Sequence, residues 1–164
     1  MLKKSILSLI LVVLMIVSIP MAALADGAKD PEKSKDYGPE PYTVDLAELA
    51  KMNTNFRDAV WTGDLLQLVV MCLKPQEEIG VEQHEDTDHF FYVVEGTGII
   101  QMGKEDTNLN YEKPITAGSG IFVPKAEWHN IINTGSKPLK ILVLYAPPHH
   151  ERGVVDTTKA EAEH

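Results

Sequence analysis

The stretch Gln76–Gly98, QEEIGVEQHEDTDHFFYVVEGTG, decides the fold. From His89 to Glu95 it alternates, with His89, Phe91 and Val93 on one face and Phe90, Tyr92 and Val94 on the other, until Gly96 closes the run. Alternation with a period of two marks a strand that turns one face to a core. Outward from this segment the same texture repeats. Ala59–Trp61 and Leu65–Leu73 lie upstream, flanking a hairpin turn at Gly63-Asp64. Ile79–His84 leads into the quoted strand, and Gly98–Met102, Ile121–Pro124, His129–Asn133 and Leu139–Tyr145 follow it. Pro75, Gly80, Gly103, Pro114, Gly118, Pro124, Gly135 and Pro138 punctuate the junctions. Gly96, Gly118 and Gly135 are expected at turns that need positive φ. Asp45–Lys51 can form one or two helical turns, too short to stand alone. Many short strands at close spacing predict an all-β chain folded as one sandwich or barrel.

Composition narrows the class. The chain has 164 residues with 24 acidic against 15 basic, a formal charge of −9, so the electrostatic footprint of a nucleic-acid binder is absent. A single cysteine excludes an internal disulfide and a Cys-rich zinc site, and Cys72, inside an apolar run, reads as a small buried hydrophobe. Lys3-Lys4, the apolar run Ile6–Ile19 and Ala23-Leu24-Ala25 form the pattern of a cleaved secretory leader over residues 1–25. Membrane contact is then confined to the leader before cleavage, and the mature protein is secreted or periplasmic. Its 139 residues carry a net charge of −11. Residues 26–41, rich in charge and proline, read as a flexible linker. Residues 42–148 read as the domain with an N-terminal extension, and 149–164 as a polar tail that frays over Lys159–His164.

Glu82 and His84 are two residues apart and share a strand face, and His89 starts the next strand across the connection Glu85–Asp88. These three can converge if both strands face one interior; His129 has to come from a distant strand, which periodicity alone does not establish. Asp86 and Asp88 read as solvated turn carboxylates. Phe91 and Trp128 are candidate substrate-pocket residues, with barrel filling as the alternative for each, and Phe122 reads as packing. Tyr92 and Glu95 fall on the outer face. His149-His150 resembles a ligand pair, but adjacent residues diverge and their place in the tail favours solvent.

With these residues quoted, a family resemblance follows. Gln76–Gly98 resembles the first cupin motif, G-x5-H-x-H-x3,4-E-x6-G, and Gly118–Asn133, GSGIFVPKAEWHNIIN, resembles the second, G-x5-P-x-G-x2-H-x3-N. Gly118, Pro124, His129 and Asn133 match the second motif, with Ala126 in place of a glycine. In the first, Gly96 matches the closing glycine, the two-histidine pair falls on Glu82 and His84, the glutamate falls on His89, and Gln76 replaces the opening glycine. FRDAVWTG, EDTDHFF and EWHNIINTG look like a subgroup of small single-domain cupins likened to mannose-6-phosphate isomerase.

The resemblance implies a jelly-roll, double-stranded β-helix barrel with a metal site at Glu82, His84, His89 and His129. If Glu82 turns away, the remaining three histidines resemble the site of thiol dioxygenases. The donor set suits Mn, Fe, Ni, Co, Cu or Zn. The implied function is metal-dependent isomerase-, epimerase- or oxygenase-type action on a small molecule. The alternative is a non-catalytic carbohydrate or small-anion binding module with a structural metal. Cupins commonly pair through their sheets, which implies a homodimer, with the FRDAVWTG hairpin as the contributing element.

Overall fold

The computed structural model describes residues 35–162. The expected leader, residues 1–25, and linker residues 26–34 lie outside this range. The described chain runs α1 (Leu46–Met52), β1 (Arg57–Thr62), β2 (Gln67–Leu73), β3 (Asp88–Glu95), β4 (Thr97–Gly103), β5 (Tyr111–Thr116), β6 (Gly120–Val123), β7 (Trp128–Asn133), β8 (Leu139–Ala146), β9 (Val155–Asp156) and α2 (Lys159–Ala162). The strands form a six-stranded sheet, β6-β3-β8-β2-β1-β9, and a three-stranded sheet, β5-β4-β7. All named strand pairs are antiparallel. The core lies between the sheets. Val69, Met71, Phe91, Val93, Ile141 and Val143 from the larger one meet Ile100, Ile115 and Ile131 from the smaller.

Strand β2 is buried along its whole length, because α1 covers the outer face that would otherwise be wet. Asp45 caps α1 by accepting from the N–H groups of Ala47 and Glu48, and Ala50 packs with Val60, Leu68, Val70 and Leu142. Two-sided cover explains why Leu68–Leu73 reads as a continuous apolar run rather than an alternating one, while Leu65 and Leu66 ahead of the strand are exposed. Cys72 is buried there as expected.

Several expectations change. Ile79–His84 is not a regular strand. Gly80, at φ +98°, interrupts it, and the isolated bridges Glu78–Ile132 and Glu82–His129, with Gly80 N–H donating to Asn130 Oδ1, fasten the segment to β7. Strand β5 has no counterpart in the sequence reading, because it is an edge strand holding Pro114 and exposed at every residue but Ile115. Phe122 is 74% exposed, not core: Ile121 and Val123 take the inward positions of β6, and the Phe122 ring rests on Phe90, centroids 4.8 Å apart.

Both flanks of the domain are more ordered than their composition suggests. The buried Asp36 carboxylate accepts from the Thr62 and Gly153 N–H groups, each at 3.1 Å, and Tyr37 N–H donates to Val60 O at 2.8 Å. The stretch 151–162, expected to fray at its end, forms β9 and α2. Asp156 pairs with Arg57 at 2.7 Å, and Ala162 packs on the core. Polar partners, not apolar periodicity, hold these segments, so a hydrophobic pattern does not reveal them. Among the described residues no helix is long and apolar enough to cross a membrane.

Gly96 and Gly118 have φ of +95° and +91°, as expected, but Gly135 is not left-handed. There a Cβ would come within 2.7 Å of Thr97 Oγ1, so crowding explains the glycine. Conversely, Gln76 (φ 67°) and Ala126 (φ 60°), the two positions where the motifs carry glycine, keep the left-handed backbone without it. Side chains are disfavoured in that region by about 1–2 kcal/mol, partly offset by glycine's greater unfolded-state entropy. Gln76→Gly and Ala126→Gly are each expected to raise stability by about 0.5–1 kcal/mol in urea unfolding. A lowered midpoint in both would contradict the left-handed assignment. Asn133, the last residue of the second motif, is fully buried. It donates to Leu73 O and Lys137 O at 2.9 Å and accepts from Gly135 N–H, so its role is to tie the β7–β8 turn to the end of β2.

Candidate functional site

The backbone places two of the four expected ligands side by side. Glu82 N–H donates to His129 O at 3.0 Å and His129 N–H returns the bond to Glu82 O at 2.9 Å, so their side chains project together from the smaller sheet. His84 follows two residues on. Its carbonyl accepts from Ala126 N–H at 2.7 Å, and Asp88 accepts from Lys125 N–H at 2.8 Å. The β6–β7 turn thus clasps the connection between Glu82 and β3, and Asp88 serves that clasp. His89 is the first buried residue of β3, in the facing sheet.

All four side chains meet. His84 Nδ1 and His89 Nε2 are 2.6 Å apart, Glu82 Oε1 is 3.4 Å from His129 Nε2, and Glu82 Oε2 is 4.0 Å from His84 Nε2. The His89 and His129 ring centroids lie 5.0 Å apart. His129 donates from Nδ1 to Glu127 O at 3.0 Å, so the neutral ring carries its lone pair on Nε2. That buried Nε2 has no hydrogen-bond partner: the approach of Glu82 is close but not aligned, and a carboxylate facing a lone pair has no proton to share. His89 Nδ1 is likewise buried and unpartnered.

Burial disfavours the charged form of His84 and His89. It draws His84 down to about 4, against partial support from Glu82, and His89 down to about 2, reinforced by repulsion from His84 and His129. Burial alone would push Glu82 up. The neighbouring His129, His84 and Arg57 outweigh it and hold the carboxyl below its ordinary value. A carboxylate with neutral imidazoles is the donor chemistry of a divalent first-row ion. Among the described residues, however, no three such side chains already surround one point. The 2.6 Å contact is a hydrogen bond between His84 and His89. Two nitrogens bound tetrahedrally at 2.0–2.1 Å to one ion stand roughly 3.3 Å apart. Binding by all four therefore requires the His84 ring to turn from His89, whereas the orphaned His129 Nε2 and the adjoining Glu82 already fit.

Sequence reasoning missed four neighbours. His149 is exposed, as expected of the tail, and His150 is half-buried, but both lie at the site rather than away from it. The chain turns back after Pro147-Pro148, and the His149 ring stacks on His84 with centroids 3.8 Å apart. His150 lies 4.8 Å from Tyr145, and its buried Nε2 is also unpartnered. Buried Gln67 holds this turn, accepting from His150 N–H and donating to His150 O, each at 3.0 Å. Tyr145 was legible as an inward residue of its strand; burial raises its phenol so that it stays protonated. Arg57, hidden in a short polar segment, gave no signal. Of the two pocket candidates, Phe91 is 1% exposed and edges onto His89 and His129 at 5.8 and 5.9 Å, as part of the core. Trp128, adjacent to His129 on β7, takes the opposite face.

A cavity of about 320 Å³ adjoins Glu82 and Tyr145. Phe56, Met71 and Ile79 form its apolar wall, and Arg57, Lys159 and Ala162 lie on the side of β1 and α2. Neither Phe91 nor Trp128 lines it.

The family described as "Cupin domain" matches residues 69–145, the span from β2 through β8. The Bacillus subtilis protein YrkC, itself uncharacterized, is 45% identical over 128 residues, covering 78% of this chain and 69% of that one. The chain belongs to the cupin family. The crystal structure of BH2720 from Bacillus halodurans is similar to this cupin at 43% identity, 79% of this chain, 98% of that one and a TM-score of 0.78. A Klebsiella pneumoniae protein with a double-stranded β-helix domain, 16% identical over 72% of this cupin and 100% of that chain, shares the fold alone at a TM-score of 0.55. In this cupin the family match contains all four candidate ligands and stops short of Arg57, His149, His150 and α2.

Proposed function

We propose that this cupin binds one divalent transition metal through Glu82, His84, His89 and His129 and holds a small molecule beside it in the adjoining cavity. The observation that carries the reading is the buried, unpartnered lone pair of His129 Nε2 set 3.4 Å from a carboxylate, an arrangement that a cation between them satisfies. When bound, the ion would act as a Lewis acid toward an oxygen of the ligand. The chain's own groups set the rest. Glu127 O accepts from His129 Nδ1, His149 stacks over His84, and Phe56, Met71 and Ile79 keep water from one wall.

Tyr145, held protonated, can donate a hydrogen bond but not accept a substrate proton. Among the described residues Glu82 is the single carboxylate that lines the cavity, and in this reading it binds the ion. Isomerase-, epimerase- or oxygenase-type chemistry and a binding module without turnover all belong to this reading, and His149 and His150 are the further imidazoles beside the site. Export behind a leader cleaved after Ala25, and pairing of two copies, belong to the same reading; intact mass and sedimentation of the secreted protein test both. The test of the function itself is metal uptake. Separate equilibration with Mn, Fe(II), Co, Ni, Cu and Zn, then washing and elemental analysis, is expected to leave about one ion per chain for at least one metal. Retention of none overturns the proposal.

A further inference from the structure

A second cavity opens between the edge strands of the two sheets, β5 of the smaller and β6 of the larger. It holds about 430 Å³, and none of the four candidate ligands lines it. Ile100, Ile115 and Ile121, all buried, form its floor, and Tyr111 and Phe122, 47% and 74% exposed, stand at its rim. Residues directly opposite each other in an antiparallel pair point to one face. Lys113, opposite Ile100, therefore projects on the cleft side of β5 rather than away from it. Its ammonium lies 5.7 Å from the centroid of the Tyr111 ring, which places the charge at that end of the cleft. Lys113 is the one charged residue of the lining and, among the described residues, has no carboxylate partner.

Backbone chemistry limits what the cleft can take. A strand added from a peptide or a second copy needs a row of free donors along the edge. β5 does not offer one: Pro114 has no N–H, and the Thr116 N–H donates to Ser119 Oγ at 3.0 Å. β6 is four residues long. A small molecule is the better fit. Tyr111 to Ile115 spans about 13 Å of strand, and the space corresponds to about fourteen water volumes. A sugar or other polyol would set hydroxyl groups against the isoleucines without partners, at a cost for each. A chain of methylenes would not.

We infer that this cleft binds a straight-chain fatty acid of medium length, its carboxylate at Lys113 and its chain laid along Ile100, Ile115 and Ile121 beside Phe122. One cation at one end of an otherwise uncharged lining matches an amphiphile with a single anionic head. The inference goes beyond the metal-binding reading and does not depend on it. The chain as a whole is acidic, so an anion held here gains more from the apolar floor and Lys113 than it loses to general repulsion.

The secreted protein, metal-loaded and chelator-treated, is titrated calorimetrically with octanoate, butyrate and the octylammonium ion. Octanoate is expected to saturate one site per chain with the same affinity in both samples. It should bind about tenfold or more tightly than butyrate, from partial burial of four further methylenes. It should also bind at least about threefold more tightly than octylammonium, although the acidic chain favours the cation elsewhere. Lys113→Gln should weaken octanoate by about threefold, in the range of an exposed ion pair, and remove that preference. Phe122→Ser should weaken it by about fivefold. Leu46→Ser, in the uncharged cavity beside α1, should leave octanoate affinity unchanged. All three substituted residues are exposed, so folding is not at stake. Equal affinity for octanoate and butyrate, octylammonium bound as tightly as octanoate, unchanged affinity in Lys113→Gln or Phe122→Ser, or loss in Leu46→Ser overturns the inference. Octanoate binding confined to the metal-loaded sample would place the acid at the metal centre and overturns it too. Failure to load any ion leaves the chelator-treated titration intact, so the two readings fail separately.

Discussion

His129→Ala will lower divalent-metal affinity by at least about a hundredfold, more than the ten- to hundredfold that follows from losing an outer partner of a ligand. Three features make this the most telling position. His129 is fully buried, its Nδ1 is fastened to Glu127 O, and its Nε2 has no other hydrogen-bond partner. Removing the imidazole therefore deletes a preoriented donor rather than a mobile one. The alanine also leaves a cavity, so stability falls too, and a packing control is needed. Ile131→Val, two residues along on the same face of β7 and also fully buried, is expected to cost about 0.5–1.5 kcal/mol while keeping the metal. Elemental analysis and competition with a chromophoric chelator measure both variants. Wild-type metal content in His129→Ala would show that the coordination scheme is wrong.

The second large effect is on stability. Phe91→Ala is expected to cost about 3–5 kcal/mol in urea unfolding, the range for truncating a buried aromatic. The ring belongs to the cluster that joins the two sheets, and it edges onto His89 and His129, so its loss removes contacts from both sides of the core at once. Phe91→Leu, which restores much of the volume, should recover most of that stability and leave metal content near wild type. If Phe91 were a pocket wall, truncation would instead change ligand affinity at little cost in unfolding free energy.

Strands β3, β4, β6, β7 and β8 were legible to within a residue at either end because each turns apolar side chains to the core. Edge strand β5 was not, since an edge with Pro114 and one buried residue has no pattern to read. Glu82, His84, His89 and His129 could be proposed from the resemblance, but their meeting depends on two ladders brought face to face, which no local spacing encodes. His149 and His150 were missed for a related reason. Their placement comes from Gln67, over eighty residues earlier, whose side-chain amide grips the backbone of both. Arg57 was missed because its partners, Asp156 and Ala162, lie about a hundred positions away. Long-range polar contacts leave no periodic trace.

The placement of β9 and α2 has a consequence for how such a protein diversifies. The four proposed ligands lie in one continuous stretch of chain, whereas part of the cavity lining, Lys159 and Ala162, lies beyond its end. Relatives sharing the inner histidines need not share a guest, and swapping the terminal segment between them is a direct route to altered selectivity.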